Sequence, residues 1–366
     1  MIYRQIVIKL GTSSLTNGTK NLSRSQMLEY VRQIAKLHKA GHRIVMTSSG
    51  AIAAGREVIS NTKTDSSLPS KQMLAAVGQV RLMEIWTQLF GLFDIPVGQI
   101  LLTRGDFSNR QSYLNVRDTL WALLRQGIIP IVNENDTVAT HETRVGDNDN
   151  LSALIANMVA ADLLVLLTDQ EGLYTADPRT NPDASLIHVV DKIDDSIWAL
   201  AKGAVSGLGT GGMTTKLEAA LLATKSGTST VIAKAQKAHV LDSIVDGKNV
   251  GTLFKSKSTP QESRKRWLIS EKAQGQLEID SGAYDRMTQH GASLLPVGLV
   301  KVIGNFERGA VVHIHTVNQP AFGVGLTSYS SDELKLLIKA QTAEIEQRLG
   351  YTYGPEIVHR DNFVLS

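Results

Sequence analysis

Two lysines beside glycine-rich turns are the residues of this chain best suited to chemistry on a phosphate. Lys9 lies in Lys9-Leu-Gly-Thr-Ser13, and Lys216 ends Gly209-Thr-Gly-Gly-Met-Thr-Thr-Lys216. Glycine lets a backbone curl until several N–H groups point at one anion, and lysine adds a charge that can follow a moving phosphoryl group. The Walker A spacing is absent. Either turn alone also fits an ordinary glycine turn beside a surface lysine, but together they predict a nucleotide phosphate site.

Three polar loops between these lysines could bind the rest of a substrate. They are Ser48-Ser-Gly-Ala51, Asn133-Glu-Asn-Asp136 and Gly146-Asp-Asn-Asp-Asn150. The last is unusually dense in carboxylates and amides, which could recognise an ammonium group, orient the lysines or help to hold magnesium. The alternative is structural, because Asp and Asn favour turns by bonding to their own backbone.

A fourth loop, Thr168-Asp169, follows an apolar strand, and its position suits contact with a nucleotide. Asp169 taken singly is also compatible with a simple cap on the next turn. After Gly211 and Gly212 an amphipathic helix is predicted, so the amides near Met213–Thr215 should point outward at an anion.

These loops require a scaffold that brings them to one edge. Up to about residue 254, short apolar runs alternate with longer amphipathic segments, which is typical of a parallel sheet covered by helices. In such sheets ligands collect outside the carboxyl ends of the strands. Helices are predicted over 24–39 and 111–125. The predicted strands are Gln5–Leu10, Arg43–Thr47, Val97–Leu102, Ile128–Val132, Leu163–Thr168 and Thr230–Ala233.

The pattern changes after residue 270, where glycine-bounded short strands predict a small β-barrel followed by a helix over 331–350. Between the two patterns, residues 255–269 carry five basic side chains against one acidic side chain. We interpret this stretch as a solvated linker rather than a nucleic-acid footprint. A length of 366 residues also favours two domains.

The composition of the chain argues against disulfide-bonded, membrane-spanning and histidine-metal proteins. Cysteine is absent, which excludes disulfides and thiolate metal sites and fits a reducing compartment. The first residues read as a strand rather than a signal peptide, and the apolar runs are too short to span a membrane, so we expect a soluble cytoplasmic protein. His313 and His315 lack a third ligand nearby, and we predict no metal site made of histidine.

The chemistry that is missing also matters. The chain shows no obvious nucleophile–histidine–acid triad and no pair of hydrolytic carboxylates. Lysines with a few acids suit phosphoryl transfer, which needs mainly alignment and charge neutralisation. A carboxylate acceptor, with a pKa near ~4.3, would already be ionised at neutral pH and would need no general base.

The residues resemble the amino acid kinase family, and within it the kinases that phosphorylate the side-chain carboxylate of glutamate. The resemblance covers nearly the whole chain and is carried by the motifs 7–13, 49–55, 133–136, 145–152, 167–174 and 207–213. The C-terminal part resembles a PUA domain. This implies a three-layer α/β/α sandwich with a mainly parallel open sheet, plus a small β-barrel-like domain. The boundaries are then 1–256 for the kinase domain, 257–272 for a basic linker, 273–352 for the PUA domain and 353–366 for a tail.

The resemblance also implies roles, position by position. Lys9 and Lys216 would flank the transferred phosphoryl group, and Asp149 would hold both lysines. Glutamate would be bound by Ser49, Asp136 and Asn148, with Asn133 and Asp147 as weaker candidates. ATP would contact Lys9, Thr168, Asp169, Thr210, Gly211, Gly212, Met213, Thr214, Thr215 and Lys216. A serine is common in the family at the position of Thr214, a change that keeps the hydroxyl. The resemblance also implies that the protein uses magnesium and forms a homo-oligomer (dimer or tetramer). It further implies feedback inhibition by proline, the end product of the synthesis that begins with glutamate phosphorylation.

Three other functions compete with this interpretation. An aspartate, acetylglutamate or uridylate kinase would share the phosphate loops but not the 146–150 loop. An RNA-binding protein is suggested by the PUA-like part, but residues 270–366 carry eight basic against eleven acidic side chains and no evident exposed stacking motif. An oxidoreductase that binds a dinucleotide is disfavoured, because the glycine-rich segment 207–212 lies late in the chain and lacks the usual acidic residue about 20 positions further on, at a strand end.

Overall fold

The chain divides into two units between Pro260 and Gln261. A computed structural model describes residues 3–59, 65, 67–139, 147–202 and 212–365. The first unit contains the predicted sandwich and the second contains the small β-rich domain, so the predicted fold class is confirmed.

One eight-stranded sheet forms the centre of the first unit. Its strands, in chain order, are β1 (Gln5–Leu10), β2 (Arg43–Ser48), β3 (Val97–Leu102), β4 (Ile129–Glu134), β5 (Leu163–Thr168), β6 (Val189–Val190), β7 (Ser229–Lys234) and β8 (Thr252–Phe254). They lie in the order β3-β4-β2-β1-β5-β7-β8-β6, and only β7 and β8 pair in antiparallel fashion among the strands of the described ranges. The six predicted strands are confirmed; β6 and β8, which have two and three residues, were missed.

Helices cover both faces of this sheet. They are α1 (Thr12–Thr16), α2 (Arg24–Lys39), α3 (Ala51–Val58), α4 (Leu68–Gly91), α5 (Arg104–Ser108), α6 (Arg110–Arg125), α7 (Asn148–Met158), α8 (Asp195–Lys202), α9 (Met213–Lys225) and α10 (Val240–Val245). Alternate residues of β1 enter opposite cores: Ile6 and Ile8 pack with α2 and α4, whereas Val7 packs with α7 and α9. None of the helices in the described part of the chain is long and apolar enough to cross a membrane.

Helices α3 and α4 approach each other through two glycines. A Cβ at Gly78 would lie 1.8 Å from the carbonyl oxygen of Ala51, and one at Gly55 would lie 2.0 Å from that of Leu74. Both distances are much shorter than a van der Waals contact, so the close approach of the two helices requires glycine at both positions. The contact fixes α4 against α3, the helix that begins two residues after Ser49.

We therefore expect Gly78→Ala to destabilise the first unit by about 3 kcal/mol, because interiors yield little to an extra methyl group. Gly91→Ala, on the same helix, is the matched control, since nothing lies within 4 Å of the position that its added methyl group would occupy. It should be neutral or slightly stabilising. Thermal unfolding of both variants measures the difference, and equal melting temperatures would contradict the tight contact.

The second unit is built on a mixed five-stranded sheet. Its strands are β9 (Gly275–Ile279), β10 (Leu299–Ile303), β11 (Val311–Thr316), β12 (Gly323–Leu326) and β13 (Phe363–Leu365), in the order β10-β9-β11-β12-β13. Its helices are α11 (Pro260–Ser270, which begins at the last residue of the first unit), α12 (Ser281–Gln289), α13 (Ser331–Leu336) and α14 (Ile345–Leu349), with 3-10 turns at Pro296–Gly298, Thr342–Glu344 and Arg360–Asn362.

Three expectations for this unit need correction. The stretch 257–272, expected as a solvated linker, contains α11, whose Leu268 is buried beside Val311 and Val324. The single helix expected over 331–350 is interrupted, because Lys339 adopts a left-handed conformation with φ 57°. The expected tail 353–366 instead supplies buried Ile357 and the strand β13, because the sheet and core of this unit are completed by the end of the chain.

Exposed aromatic side chains in this unit were also missed. Tyr351 and Tyr353 are 44% and 38% exposed, and their rings meet edge to face with centroids 5.3 Å apart. The guanidinium of Arg308 lies 3.5 Å from the centroid of the Tyr353 ring. The charge argument against RNA binding is unaffected, but the argument from a lack of exposed aromatic stacking does not hold.

Candidate active site

The two lysines singled out by the sequence meet at one carboxylate. Lys9 Nζ lies 2.6 Å from Asp149 Oδ1, and Lys216 Nζ lies 3.2 Å from Asp149 Oδ2. Thr215 Oγ1 lies within hydrogen-bonding distance of the same Oδ2, at 3.1 Å. Asp149 is completely buried, and both lysines are less than 10% exposed. The structure thus places two lysines that are far apart in the sequence side by side, and the carboxylate of Asp149 holds both.

Three elements of the fold bring these side chains together. Lys9 is the second-last residue of β1, so it lies at the carboxyl edge of the sheet. Asp149 is in the first turn of α7, and Lys216 is in the first turn of α9. Because α7 and α9 pack on the same face of the sheet, their N-termini converge on the end of β1. The amides in these first turns add positive potential to the site.

Charge and burial act against each other on Asp149. Burial raises its pKa, but Lys9 and Lys216 lower it by more, so the pKa lies below the usual 3.8. The carboxylate therefore stays ionised at neutral pH. Asp147, two residues earlier, has a raised pKa because of burial and the neighbouring charge of Asp149. It caps α7 by accepting a hydrogen bond from the Asn150 amide at 2.8 Å.

The N-terminus of α9 has the character of an anion site. The N-cap residue is Gly212, which has no side chain to cap the helix. Met213, Thr214 and Thr215 follow in the first turn. Their amides lack the carbonyl partners that amides within a helix have. Thr210 and Gly211, also predicted to contact a nucleotide, lie outside the described residues, as does Gly146 of the acidic loop.

A relay of polar side chains lies beside the lysines. The Asn148 amide donates from Nδ2 to Ser49 Oγ at 2.7 Å and to Asn133 Oδ1 at 2.9 Å. Asn148 Oδ1 is buried and has no hydrogen-bond partner among the described residues. Asp136 lies in the half-buried turn after β4. The structure thus brings Ser49 from the loop after β2, Asn133 from the end of β4 and Asn148 from the start of α7 into one network.

Two residues that sequence reasoning did not assign to the site support this network from α4. Gln79 Oε1 accepts a hydrogen bond from Asn133 Nδ2 at 2.9 Å. Trp86 Nε1 donates to Ser48 Oγ at 3.1 Å, next to Ser49. A signal for Gln79 does exist in the sequence, because it is a polar residue within the apolar stripe that contains Leu82 and Trp86.

A separate cavity of about 220 Å³ opens beside the end of β5. Its lining includes Asp169, Tyr174 and Pro178 from the segment after β5, Leu200 from α8 and Met213 from α9. Thr168 Oγ1 donates to Asp169 Oδ1 at 2.9 Å. A mixed apolar and polar cavity that shares Met213 with the anion site suits a ligand with an aromatic base and a charged end.

The donor set is compatible with magnesium that arrives with a nucleotide. The described residues contain no group of three His, Asp, Glu or Cys side chains that could hold a metal ion. Mg²⁺ is, however, commonly held by one or two carboxylates together with substrate phosphates. Asp147 is a suitable carboxylate here, because Asp149 already binds two lysines.

The chain is similar to several known proteins and protein families. The amino acid kinase family model matches residues 4–234, and the PUA domain model matches residues 275–349. Glutamate 5-kinases from Sodalis glossinidius and Escherichia coli K12 are each 51% identical to the chain, and each alignment covers 98% of both sequences. A carbamate kinase from Giardia lamblia bound to AMP-PNP shares the fold with a TM-score of 0.51 at 18% identity, over 69% of this chain and 98% of that one.

Proposed function

The chain belongs to the amino acid kinase family, within its glutamate 5-kinase branch, and on that premise we propose that it transfers the γ-phosphoryl group of ATP directly to the side-chain carboxylate of L-glutamate. The products are L-glutamyl 5-phosphate and ADP, in the first step of proline biosynthesis. The observation that carries this proposal is the pair of lysines on Asp149, because two cations side by side can neutralise a phosphoryl group in transfer.

In the proposed reaction, a carboxylate oxygen of glutamate attacks the γ-phosphorus in line with the leaving group. A new oxygen–phosphorus bond forms, the bond to the oxygen that bridges the β- and γ-phosphates breaks, and its electron pair leaves with ADP. The attacking carboxylate is already ionised at neutral pH, with a pKa of ~4.3, so no general base is required. The work of the protein is alignment and charge stabilisation.

Lys9 and Lys216 stabilise the charge on the phosphoryl oxygens, and Asp149 positions them. Asp149 is a positioning residue in this scheme, because both of its oxygens face the lysines. The first-turn amides of α9, at Met213 to Thr215, bind the phosphates. The base of ATP occupies the cavity beside Asp169 and Met213. Magnesium bound with ATP would further neutralise the phosphates, with Asp147 as its carboxylate ligand from the protein.

The polar relay binds the amino-acid end of glutamate. Asn148 Oδ1 is a buried acceptor that receives no hydrogen bond from the described residues. It can therefore accept a hydrogen bond from the α-ammonium group of glutamate. Ser49 Oγ accepts from Asn148, which leaves its own hydrogen available for the α-carboxylate. Asp136, in the turn that follows Asn133, would add a negative charge that favours an ammonium group. Asn133 acts through Asn148 rather than by direct contact.

The proposal includes three further properties that membership of the family supports. They are inhibition by proline at or near the glutamate site, assembly into a homo-oligomer, and a cytoplasmic location. Proline shares the ammonium and carboxylate groups that the relay would bind, so competition with glutamate is the simplest form of inhibition.

Trapping the acyl phosphate tests the proposed function most directly. With ATP, Mg²⁺ and hydroxylamine, L-glutamate should yield glutamyl hydroxamate, because acyl phosphates react readily with hydroxylamine. Omission of ATP is the control and should abolish the product. L-aspartate, N-acetyl-L-glutamate and uridylate serve as competing acceptors. No hydroxamate with glutamate, together with ADP release on another acceptor, would assign a different substrate.

A further inference from the structure

Gln79 lies outside the residues assigned so far to substrate binding, yet it ends the relay that leads to Ser49. Its side chain is buried, and its Oε1 accepts from Asn133 Nδ2 at 2.9 Å. We propose that Gln79 is a positioning residue that holds Asn133, and through it Asn148, in the orientation that binds glutamate. This inference deepens the proposed function and rests on it.

The orientation of Asn133 is determined from two sides. The backbone N–H of Glu134, which can only donate, bonds to Asn133 Oδ1 at 2.9 Å. The amide nitrogen Nδ2 must therefore point the other way, where Gln79 Oε1 receives it. Asn133 is only 2% exposed, so loss of that acceptor would leave a buried donor without a partner. Such a group is costly, and the side chain would rotate to find another acceptor.

The orientation of Asn133 then decides that of Asn148. Asn133 Oδ1 accepts from Asn148 Nδ2, and the same Nδ2 donates to Ser49 Oγ. With both hydrogens of Nδ2 in use, Asn148 Oδ1 is left as the acceptor for the α-ammonium group of glutamate. If the side chain of Asn133 rotates, Asn148 loses one of the two hydrogen bonds that orient its amide. Either Oδ1 or Nδ2 of Asn148 could then face the glutamate.

Gln79 itself has little freedom to move. It follows Gly78, whose Cα lies against the backbone of α3, so the helix cannot shift to compensate for a changed side chain. The acceptor that Asn133 needs must therefore come from the side chain at position 79. A glutamate there would supply one in either protonation state, whereas a methionine of similar length would supply only a weak one.

The test compares Gln79→Met with Gln79→Glu in the full-length enzyme. We expect Gln79→Met to raise KM for glutamate about 10-fold, because the free energy of one hydrogen bond corresponds to a change of about that size. KM for ATP should stay within about twofold of the wild-type value. Gln79→Glu should return KM for glutamate to within about threefold of the wild type. Gln88→Met, the same substitution on the exposed face of α4, is the matched control and should change neither constant.

Equal KM values for glutamate in the Met and Glu variants would overturn the proposal, as would equal increases in both KM values for Gln79→Met. A lower melting temperature with unchanged KM would show a purely structural role and would overturn it too. If Gln79→Met does not fold, Gln79→Leu gives the same comparison with Gln79→Glu. Failure of the proposed function is distinguishable, because it would appear in the wild type as no hydroxamate from glutamate.

Discussion

Replacing Lys216 with alanine is expected to lower kcat about 100- to 1000-fold, the usual effect of losing one group that stabilises charge in a transition state. KM for glutamate should change by no more than about threefold, because the relay that binds the amino acid does not include Lys216. The reason is geometric. Lys216 is held by Asp149 at the N-terminus of α9, where the phosphates bind in our proposal.

Steady-state kinetics with each substrate varied in turn measures this split. Lys225→Ala, at the exposed end of the same helix, is the matched control for loss of a lysine and should retain wild-type kcat. Melting temperatures must be compared as well, since Asp149 keeps only Lys9 in the variant. Turnover near that of the wild type would remove Lys216 from the reaction centre.

Asp149→Asn should have a large effect on stability. The substitution conserves shape but leaves Lys9 and Lys216 buried together without the anion that compensates them. Breaking a buried ion pair in this way costs about 3 kcal/mol or more. For a unit of this size that corresponds to a decrease in melting temperature of roughly 10 °C. Turnover should fall too, because the lysines lose the carboxylate that positions them.

The pH dependence supplies an independent check on Asp149. Its pKa in the folded protein lies below the unfolded value of 3.8. The stability it contributes is therefore present at pH values well above 3.8 and is lost progressively as the pH falls from about that value through the lower folded pKa. The difference in melting temperature between wild type and Asp149→Asn should be constant from pH 7 down to about pH 5.

Asp246→Asn is the control for this substitution. Asp246 pairs with Lys248 at 3.5 Å on the surface, where both side chains are more than half exposed. Exposed pairs contribute little, so its melting temperature should match that of the wild type. If Asp149→Asn were as stable as this control, the central carboxylate would not compensate the two lysines.

Local patterns in the sequence were sufficient to predict most of the first unit. Six strands and helix α2 could be read from hydrophobic periodicity, because each buries a regular stripe or a continuous apolar run. The short strands β6 and β8 could not, since two or three residues carry no period. Likewise, α11 was read as a linker from its charge, and its burial depends on one residue, Leu268.

For the second unit, local pattern was a poorer guide. The apolar spacing after Ser331 fits one helix, but Leu337, Ala340 and Ile345 are all buried in a small core, and the chain turns at Lys339 to bury them. Residues 353–366 were expected as a tail, yet Phe363 pairs with Gly325 in the sheet. Both outcomes depend on contacts with distant segments, which periodicity does not report.

By itself, the sequence determined which residues could act on a phosphate and that they lie at strand ends and helix starts, because glycine turns, lysines and dense amide loops have local signatures. The family resemblance implied that Asp149 holds Lys9 and Lys216, but only the tertiary structure gave the contacts of these side chains and decided that Gln79 ends the relay through Asn133 and Asn148. The reason is physical: a hydrogen bond or an ion pair between residues far apart in the chain depends on the packing of whole helices, here α7 against α9 and α4 against α3.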